Sequence, residues 1–176
     1  MCKMSTATSI FQRASRLNKV RRVLGIDPGL SSTGYAVVDF SKNRYHLAAH
    51  GVIKTSKNTA MGERLSAIYD EISRVISDYA PQEAGMESLF FARNVSSALE
   101  VSQARGALSL CLFQRGVPLT EYTPNTIKKA VSGSARADKD TVRQFVKILL
   151  GLDAPPDTDH EADAIACAIA HINYSP

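Results

Sequence analysis

The sequence predicts an α/β protein in which a mixed β-sheet is flanked by helices on both faces. Three observations indicate this class: an apolar run that stops at Pro28-Gly29, strand-like segments over 34–40 and 45–55, and helical spacing over 60–79. The chain then continues as strand, helix, strand and helices, the order of a layered α/β domain. With 176 residues, 44% of them hydrophobic, it is long enough for one domain with a buried core.

The first half is predicted to be an antiparallel meander followed by a helix. The apolar run around 23–27 is a buried strand in which Gly25 permits close packing, and strands 34–40 and 45–55 follow it, with Asn43 and Arg44 in the turn between them. Apolar residues spaced by three and four over 60–79 predict the first helix.

The second half is predicted to alternate short strands with helices. We expect strands at 84–88 and 117–123, and helices at about 96–115, 124–131, 138–151 and 160–172. The last helix is apolar on nearly all sides and is expected to be buried, with Asp159 as its candidate N-cap. The helix 96–115 is apolar at Leu99, Val101, Ala104, Leu108, Leu112 and Phe113.

Basic residues are concentrated in two segments, so the net charge of +4 is unevenly distributed along the chain. Six of the 21 basic residues lie in the first 22 positions, which hold no acid. We expect residues 1–20 to be a basic, disordered extension of a domain spanning 21–174, with an organelle transit peptide as the alternative. The stretch 125–147 also has a local excess of four positive charges, which suits either phosphate contacts or a solvated helix face.

Hydrophobic runs and cysteines indicate a soluble protein from a reducing compartment. No apolar run approaches the ~20 residues that a membrane-spanning helix needs. The three cysteines, Cys2, Cys111 and Cys167, form no CxxC pair, and the last two lie in apolar stretches, which is typical of buried thiols.

Four ligand-type side chains stand where apolar residues are expected. Asp27 ends the first strand, Glu87 lies in a short strand between Met86 and Leu89, and His160 and Asp163 share one face of the last helix. Each has a structural alternative, as a turn former or a helix-capping charge. An ionised carboxylate in a core strand is costly unless it is paired or bound to metal, and the predicted sheet could bring all four together.

Clustered carboxylates of this kind suit phosphodiester hydrolysis. Two divalent cations ~3.5–4 Å apart can activate a water and stabilise the leaving oxygen in an in-line displacement. Carboxylate oxygens favour Mg²⁺, whereas an imidazole in the set makes Mn²⁺ at least as suitable.

Four segments of the chain together resemble the RuvC family of bacterial Holliday-junction resolvases: LGIDPGLSSTGYAVVD, MESLFFARNVSSALEVSQARG, YTPNTIKKAVSGSARADKDTV and HEADAIACAIAH. The resemblance covers about residues 22–173. It implies a ribonuclease H-like fold and a homodimer that resolves four-way DNA junctions in recombination and repair, by symmetric nicks in strands of like polarity. It also implies a bacterial cytoplasmic protein that works with a branch-migration complex of RuvA and RuvB type.

The same resemblance assigns roles residue by residue. Asp27, Glu87, His160 and Asp163 match the catalytic and metal-binding quartet, with two Mg²⁺ or Mn²⁺ ions per site. The helix after Asn94 matches the one that forms the dimer interface. Phe90 matches an aromatic used against unpaired bases, and an exposed ring there could stack on a base. Lys128 and Lys139 match basic residues that contact DNA, and Arg93 and Asn94 fall in the same DNA-facing segment as Phe90.

The chain departs from the family pattern at two places, and its motifs allow two competing functions. Many relatives have Asp where this chain has His160, which leaves the metal preference open, and residues 1–20 have no assignable counterpart. The segment after Gly25 also resembles the first phosphate loop of actin- and sugar-kinase-like ATPases, but that architecture needs a much longer chain. The remaining alternative is a catalytically inactive junction-binding protein of the same fold.

Overall fold

The computed structural model describes residues 20–88 and 95–175, with side chains described from residue 98 in the second range. Within these two ranges, five strands and five helices follow one another in the predicted order. The strands are β1 Arg21–Asp27, β2 Ser32–Ser41, β3 Arg44–Lys54, β4 Glu83–Glu87 and β5 Leu119–Tyr122. The helices are α1 Met61–Tyr79, α2 Val95–Gln114, α3 Pro124–Ser132, α4 Lys139–Leu150 and α5 Asp159–Tyr174.

The strands form one mixed sheet in the order β3-β2-β1-β4-β5. The first three are antiparallel neighbours, as predicted for the meander, whereas β4 and β5 run parallel to β1. The turn between β2 and β3 lies one residue earlier than expected. Lys42 and Asn43 carry its positive φ angles (49° and 61°), and Arg44 already begins β3. Two successive left-handed residues match the right-handed twist of a tight hairpin.

Helices cover both faces of the sheet, which confirms the predicted layering. Side chains of a strand alternate between faces, so Leu24 packs with α1 and α2, while Val23 packs with α3, α4 and α5. The core on the α1 side includes Ile68 and Leu108, and both are fully buried. The sheet is therefore the middle layer of a three-layer domain.

Helix α5 lies directly on the sheet because glycines let it approach. A Cβ on Gly25 would stand 2.1 Å from the Ala164 carbonyl oxygen, so no larger residue fits without moving the helix. The prediction that Asp159 caps this helix was wrong, because Thr158 is the N-cap. Its hydroxyl oxygen accepts a hydrogen bond from the Glu161 N–H (3.2 Å), and the Glu161 carboxylate accepts one from the Thr158 N–H (3.1 Å), a capping box.

Helix α2 buries one face and leaves an apolar face open. Leu108 and Leu112 are fully buried, as its pattern predicted, but Leu99 and Phe113 are not part of this core. The exposed fraction is 63% for Leu99, 52% for Leu110 and 82% for Phe113. Large apolar side chains exposed along one helix indicate an interaction surface.

Other predictions about burial agree with the structure. Cys111 and Cys167 are buried free thiols, and Cys2 lies outside the described residues. Within 20–88 and 95–175, no helix has the length and apolar character needed to cross a membrane.

Candidate active site

One cleft of about 370 Å³ brings together all four ligand-type side chains that the sequence singled out. Two lysines from the basic stretch also reach it, and three apolar residues complete its wall. The lining residues are Asp27, Glu87, His160, Asp163, Lys128, Lys139, Pro124, Ile127 and Val142.

The sheet topology explains why Asp27 and Glu87 meet. β1 and β4 are parallel neighbours with Ile26 opposite Met86, so the next residue of each strand lies at the same edge of the sheet. Helix α5 supplies the other two side chains from its N-terminal end, where residues three apart share one face. Gly34 permits this approach, since a Cβ there would lie 2.1 Å from the His160 carbonyl oxygen.

Contacts inside the cleft pair some of these groups. His160 Nδ1 lies 2.7 Å from Asp27 Oδ2. The Lys139 ammonium lies 3.1 Å from an Asp159 carboxylate oxygen and 3.7 Å from one of Asp163. The hydrogen bond to Asp27 raises the pKa of His160, which favours an imidazolium–carboxylate pair.

Glu87 is the carboxyl group most strongly affected by its surroundings. Its pKa is raised to about 7, first by burial and then by the negative charges of Asp27 and Asp163. Burial also raises the pKa of Asp163, with the Asp27 charge as the next cause. Glu87 and Asp163 are therefore two partly buried carboxyl groups with raised pKa values beside the Asp27 charge, a pattern that marks functional sites.

The donor set suits a divalent cation. Asp27, Glu87 and Asp163 offer hard carboxylate oxygens, and His160 adds a nitrogen. In the part of the chain that the structure describes, no three His, Cys, Asp or Glu side chains are grouped so as to hold a metal ion already. Asp27 instead contacts His160, and Asp163 contacts Lys139.

The predicted DNA-contacting residues fall into two groups. Lys128 and Lys139 line the cleft. Phe90, Arg93 and Asn94 belong to 89–94, outside the described residues.

Arg105 was not among the predicted site residues, yet it touches the backbone of Glu87. Its guanidinium donates a hydrogen bond to the Glu87 carbonyl oxygen and forms an ion pair with Glu121. A signal was present, because Arg105 follows Val101 by four residues and precedes Leu108 by three, the spacing of the buried stripe of α2. A charged residue in a buried stripe requires partners.

Comparisons with known proteins identify the family. The family model described as crossover junction endodeoxyribonuclease RuvC matches residues 23–171. The protein of that name from Treponema denticola is 49% identical over 165 residues, 93% of each chain. The one from Pseudothermotoga lettingae is 44% identical over 149 residues, 85% of this chain and 92% of its own.

Solved structures agree with the sequence relatives. The structure of T. thermophilus RuvC in complex with Holliday junction substrate superposes with a TM-score of 0.85 at 34% identity, covering 88% of this chain and 94% of that one. The yeast mitochondrial Holliday junction resolvase Ydc2 shares the fold, with a TM-score of 0.62 at 15% identity over 94% of this chain and 86% of its own. The chain therefore has a ribonuclease H-like fold and belongs to the RuvC family of crossover junction endodeoxyribonucleases.

Proposed function

We propose that this protein resolves four-way DNA junctions by hydrolysing phosphodiester bonds at the cleft lined by Asp27, Glu87, His160 and Asp163. The observation that carries the proposal is the convergence of four ligand-type side chains from β1, β4 and α5 in one cleft. The relatives are named as nucleases of this type, and one was solved with a Holliday junction. Every proposed ligand position holds a competent side chain, which favours an active enzyme over an inactive junction-binding protein.

A bound pair of Mg²⁺ or Mn²⁺ ions would activate the attacking water and stabilise the leaving oxygen. The chain supplies the site for them. Asp27 and Glu87 hold their carboxylates on adjacent strand ends, and α5 places His160 and Asp163 opposite them. Burial and neighbouring negative charge raise the pKa values of Glu87 and Asp163, so divalent cations would stabilise their ionised forms.

Other residues of the cleft are proposed to contact the DNA or to limit water. Lys128 and Lys139 lie at its wall and would contact the scissile strand's phosphates, where a cation contributes affinity without reading sequence. Ile127 and Val142 give the same wall an apolar part, which limits water around the reacting groups. Phe90, Arg93 and Asn94 are proposed DNA contacts on the family resemblance alone.

The exposed face of α2 supports a homodimer. Leu99, Gly106, Leu110 and Phe113 follow one another by seven, four and three residues, so they form a single stripe. A Cβ on Gly106 would meet nothing within 4 Å, so the packing of this chain does not require glycine there. Glycine inside a helix costs about 1 kcal/mol relative to alanine. A second helix packed closely at Gly106 would explain both the glycine and the exposed Leu110 and Phe113.

The proposal extends to the cellular setting. The relatives named above are bacterial, and we place this chain in the bacterial cytoplasm with a branch-migration complex of RuvA and RuvB type as partner. Two such dimer-related sites would make symmetric nicks in strands of like polarity.

A cleavage assay on synthetic four-way junctions tests the proposal. With Mg²⁺ or Mn²⁺ the wild type is expected to make paired symmetric nicks, and Asp27→Asn to bind junctions without cleaving them. Asp70→Asn, which changes an exposed aspartate of α1, is the matched control and should cleave like wild type. Equal cleavage of linear duplex would contradict junction specificity, and full activity of Asp27→Asn would contradict the metal site. Binding without cleavage by the wild type would favour the inactive alternative.

A further inference from the structure

Arg105 is a nearly buried cation in the interior face of α2. Its side chain is 11% exposed, and its helix neighbours Ala104 and Leu108 are fully buried. Removing a guanidinium from water is costly unless its donors are satisfied. An arginine at such a position is therefore expected to make specific hydrogen bonds, since an apolar residue would pack there at lower cost.

The two acceptors of Arg105 lie on two neighbouring strands. One guanidinium nitrogen donates to the backbone carbonyl oxygen of Glu87, the last residue of β4. Another lies 2.5 Å from a carboxylate oxygen of Glu121 in β5. Glu121 pairs with Met86 in the sheet register, so Arg105 spans the end of β4 and its β5 neighbour.

The contact is with the backbone of Glu87, and this determines what it can do. The register between β1 and β4 ends at Met86, so Glu87 lies past the last residue paired with β1, whereas on its other side it still pairs with Tyr122 of β5. A fixed guanidinium fork that holds this oxygen also fixes the direction in which the Glu87 side chain leaves the strand. Glu121, which is 48% exposed, anchors the other side of the fork.

We propose that Arg105 is a positioning residue for the cleft: it holds the end of β4 so that the Glu87 carboxylate points at the cation site. The inference rests on the proposed function, because it takes Glu87 as a metal ligand. Arg105 itself does not line the cleft. Its loss should therefore weaken cation binding more than it weakens DNA binding, as loss of an outer-shell partner does.

The test measures Mn²⁺ dependence in Arg105→Met. The Mn²⁺ concentration for half-maximal junction cleavage should rise about tenfold, with most of the rate recovered at saturating Mn²⁺. Titration of the DNA-free protein, followed by the Mn²⁺ paramagnetic resonance signal, should show the same shift. Junction affinity in EDTA should stay within about twofold of wild type, because Arg105 has no proposed contact with DNA.

Three further variants separate positioning from general stability. Arg105→Lys offers one compact donor group in place of the fork and should fall between wild type and Arg105→Met. Glu121→Gln, at a half-exposed position, should raise the Mn²⁺ midpoint about threefold. This variant replaces Arg105→Met in the test if Arg105→Met does not fold. The matched control is Arg115→Met, because the Arg115 guanidinium also links two elements, through the Ser73 hydroxyl, but far from Glu87. It should leave the midpoint unchanged.

The outcomes distinguish this inference from the proposed function. Wild-type Mn²⁺ midpoints in both Arg105→Met and Glu121→Gln would overturn the positioning role, as would an equal shift in Arg115→Met. Glu87→Gln is measured in parallel. If it binds Mn²⁺ and cleaves like wild type, the metal-site proposal fails and the role of Arg105 fails with it. If Glu87→Gln is inactive while Arg105→Met is unchanged, only the role of Arg105 is wrong.

Discussion

The first and last residues of β4 are both glutamates, and the two ends of the strand affect them in opposite ways. At the first, hydrogen bonds from Arg21 and His171 lower the pKa of Glu83 to about 2, against a smaller opposing effect of burial. At the last, burial and the charges of Asp27 and Asp163 raise the pKa of Glu87 to about 7. The surroundings therefore stabilise the ionised form of Glu83 and destabilise the ionised form of Glu87.

The difference separates a structural network from a reaction centre. The Glu83 carboxylate accepts hydrogen bonds from Nε and Nη2 of Arg21 (2.5 and 3.0 Å) and lies 2.9 Å from His171 Nε2. The other ring nitrogen of His171 lies 3.1 Å from the Tyr122 hydroxyl. These groups satisfy one another and need no ligand. The Glu87 end lacks that balance, and groups with such perturbed pKa values concentrate at functional sites. Residue type and strand are the same, so the contrast comes from burial and from the neighbouring groups.

The largest expected effect comes from Glu87→Gln. Junction cleavage should fall by about three orders of magnitude, because a ligand for the cations is lost. In EDTA, the free energy of unfolding at pH 8 should rise by about 1–2 kcal/mol, since the pKa of Glu87 lies above its ordinary value and its ionised form opposes folding there. Cleavage rates and urea denaturation measure the two effects. If Glu87→Gln were less stable than wild type in EDTA, the contrast between Glu87 and Glu83 would be contradicted.

Glu83→Gln should have the opposite profile. The unfolding free energy should fall by about 2 kcal/mol at pH 7, because charge-assisted hydrogen bonds are lost, while cleavage stays near wild type. The lowered pKa also gives a pH signature. The stabilisation is complete above about pH 4.5 and is lost as pH falls toward 2, so the variant's acid denaturation curve should be flatter. Glu63→Gln, exposed in the first turn of α1, is the control. Loss of cleavage at unchanged stability would break the comparison.

His160→Asp tests which cation the cleft prefers. Replacing the imidazole with a carboxylate removes the nitrogen donor, so the ratio of Mn²⁺-supported to Mg²⁺-supported cleavage should fall about fivefold. The variant also loses the contact of His160 with Asp27 and should be less stable than wild type in EDTA. Parallel titrations with the two metals provide the measurement. Superimposable curves for the wild type and the variant would mean that His160 does not set the preference.

The smallest effect is expected from Lys128→Ala. Junction affinity should fall about threefold, and the slope of log affinity against log salt should become shallower by about 1, as for one lost phosphate contact. Lys129→Ala provides the neighbouring control, because Lys129 is exposed and does not line the cleft. Binding isotherms at several salt concentrations distinguish the two variants. Identical slopes would assign Lys128 to the solvated helix face that the sequence left open.

Regular structure was predictable because each element carries its own periodicity. The strand at 23–27 stops at Pro28-Gly29, and α1 has the three- and four-residue spacing of a surface helix. Local sequence patterns predicted the ends of helices less well than their interiors. Thr158 and Asp159 are both good N-cap types, and only the backbone geometry selects Thr158. The apolar composition of α2 likewise does not say that Phe113 lies outside the core.

The order of residues along the chain already contains the available chemistry: three carboxylates and an imidazole at strand ends and near the start of a helix, with basic residues over 125–147. How those groups are charged and held depends on contacts between residues that are far apart in the chain. Glu83 meets His171 across 88 positions of sequence, and His160 meets Asp27 across 133. Arg105 reaches the Glu87 carbonyl from another element. Electrostatic energies depend on distance and burial in space, which no local pattern encodes, so two glutamates of one strand acquire opposite roles.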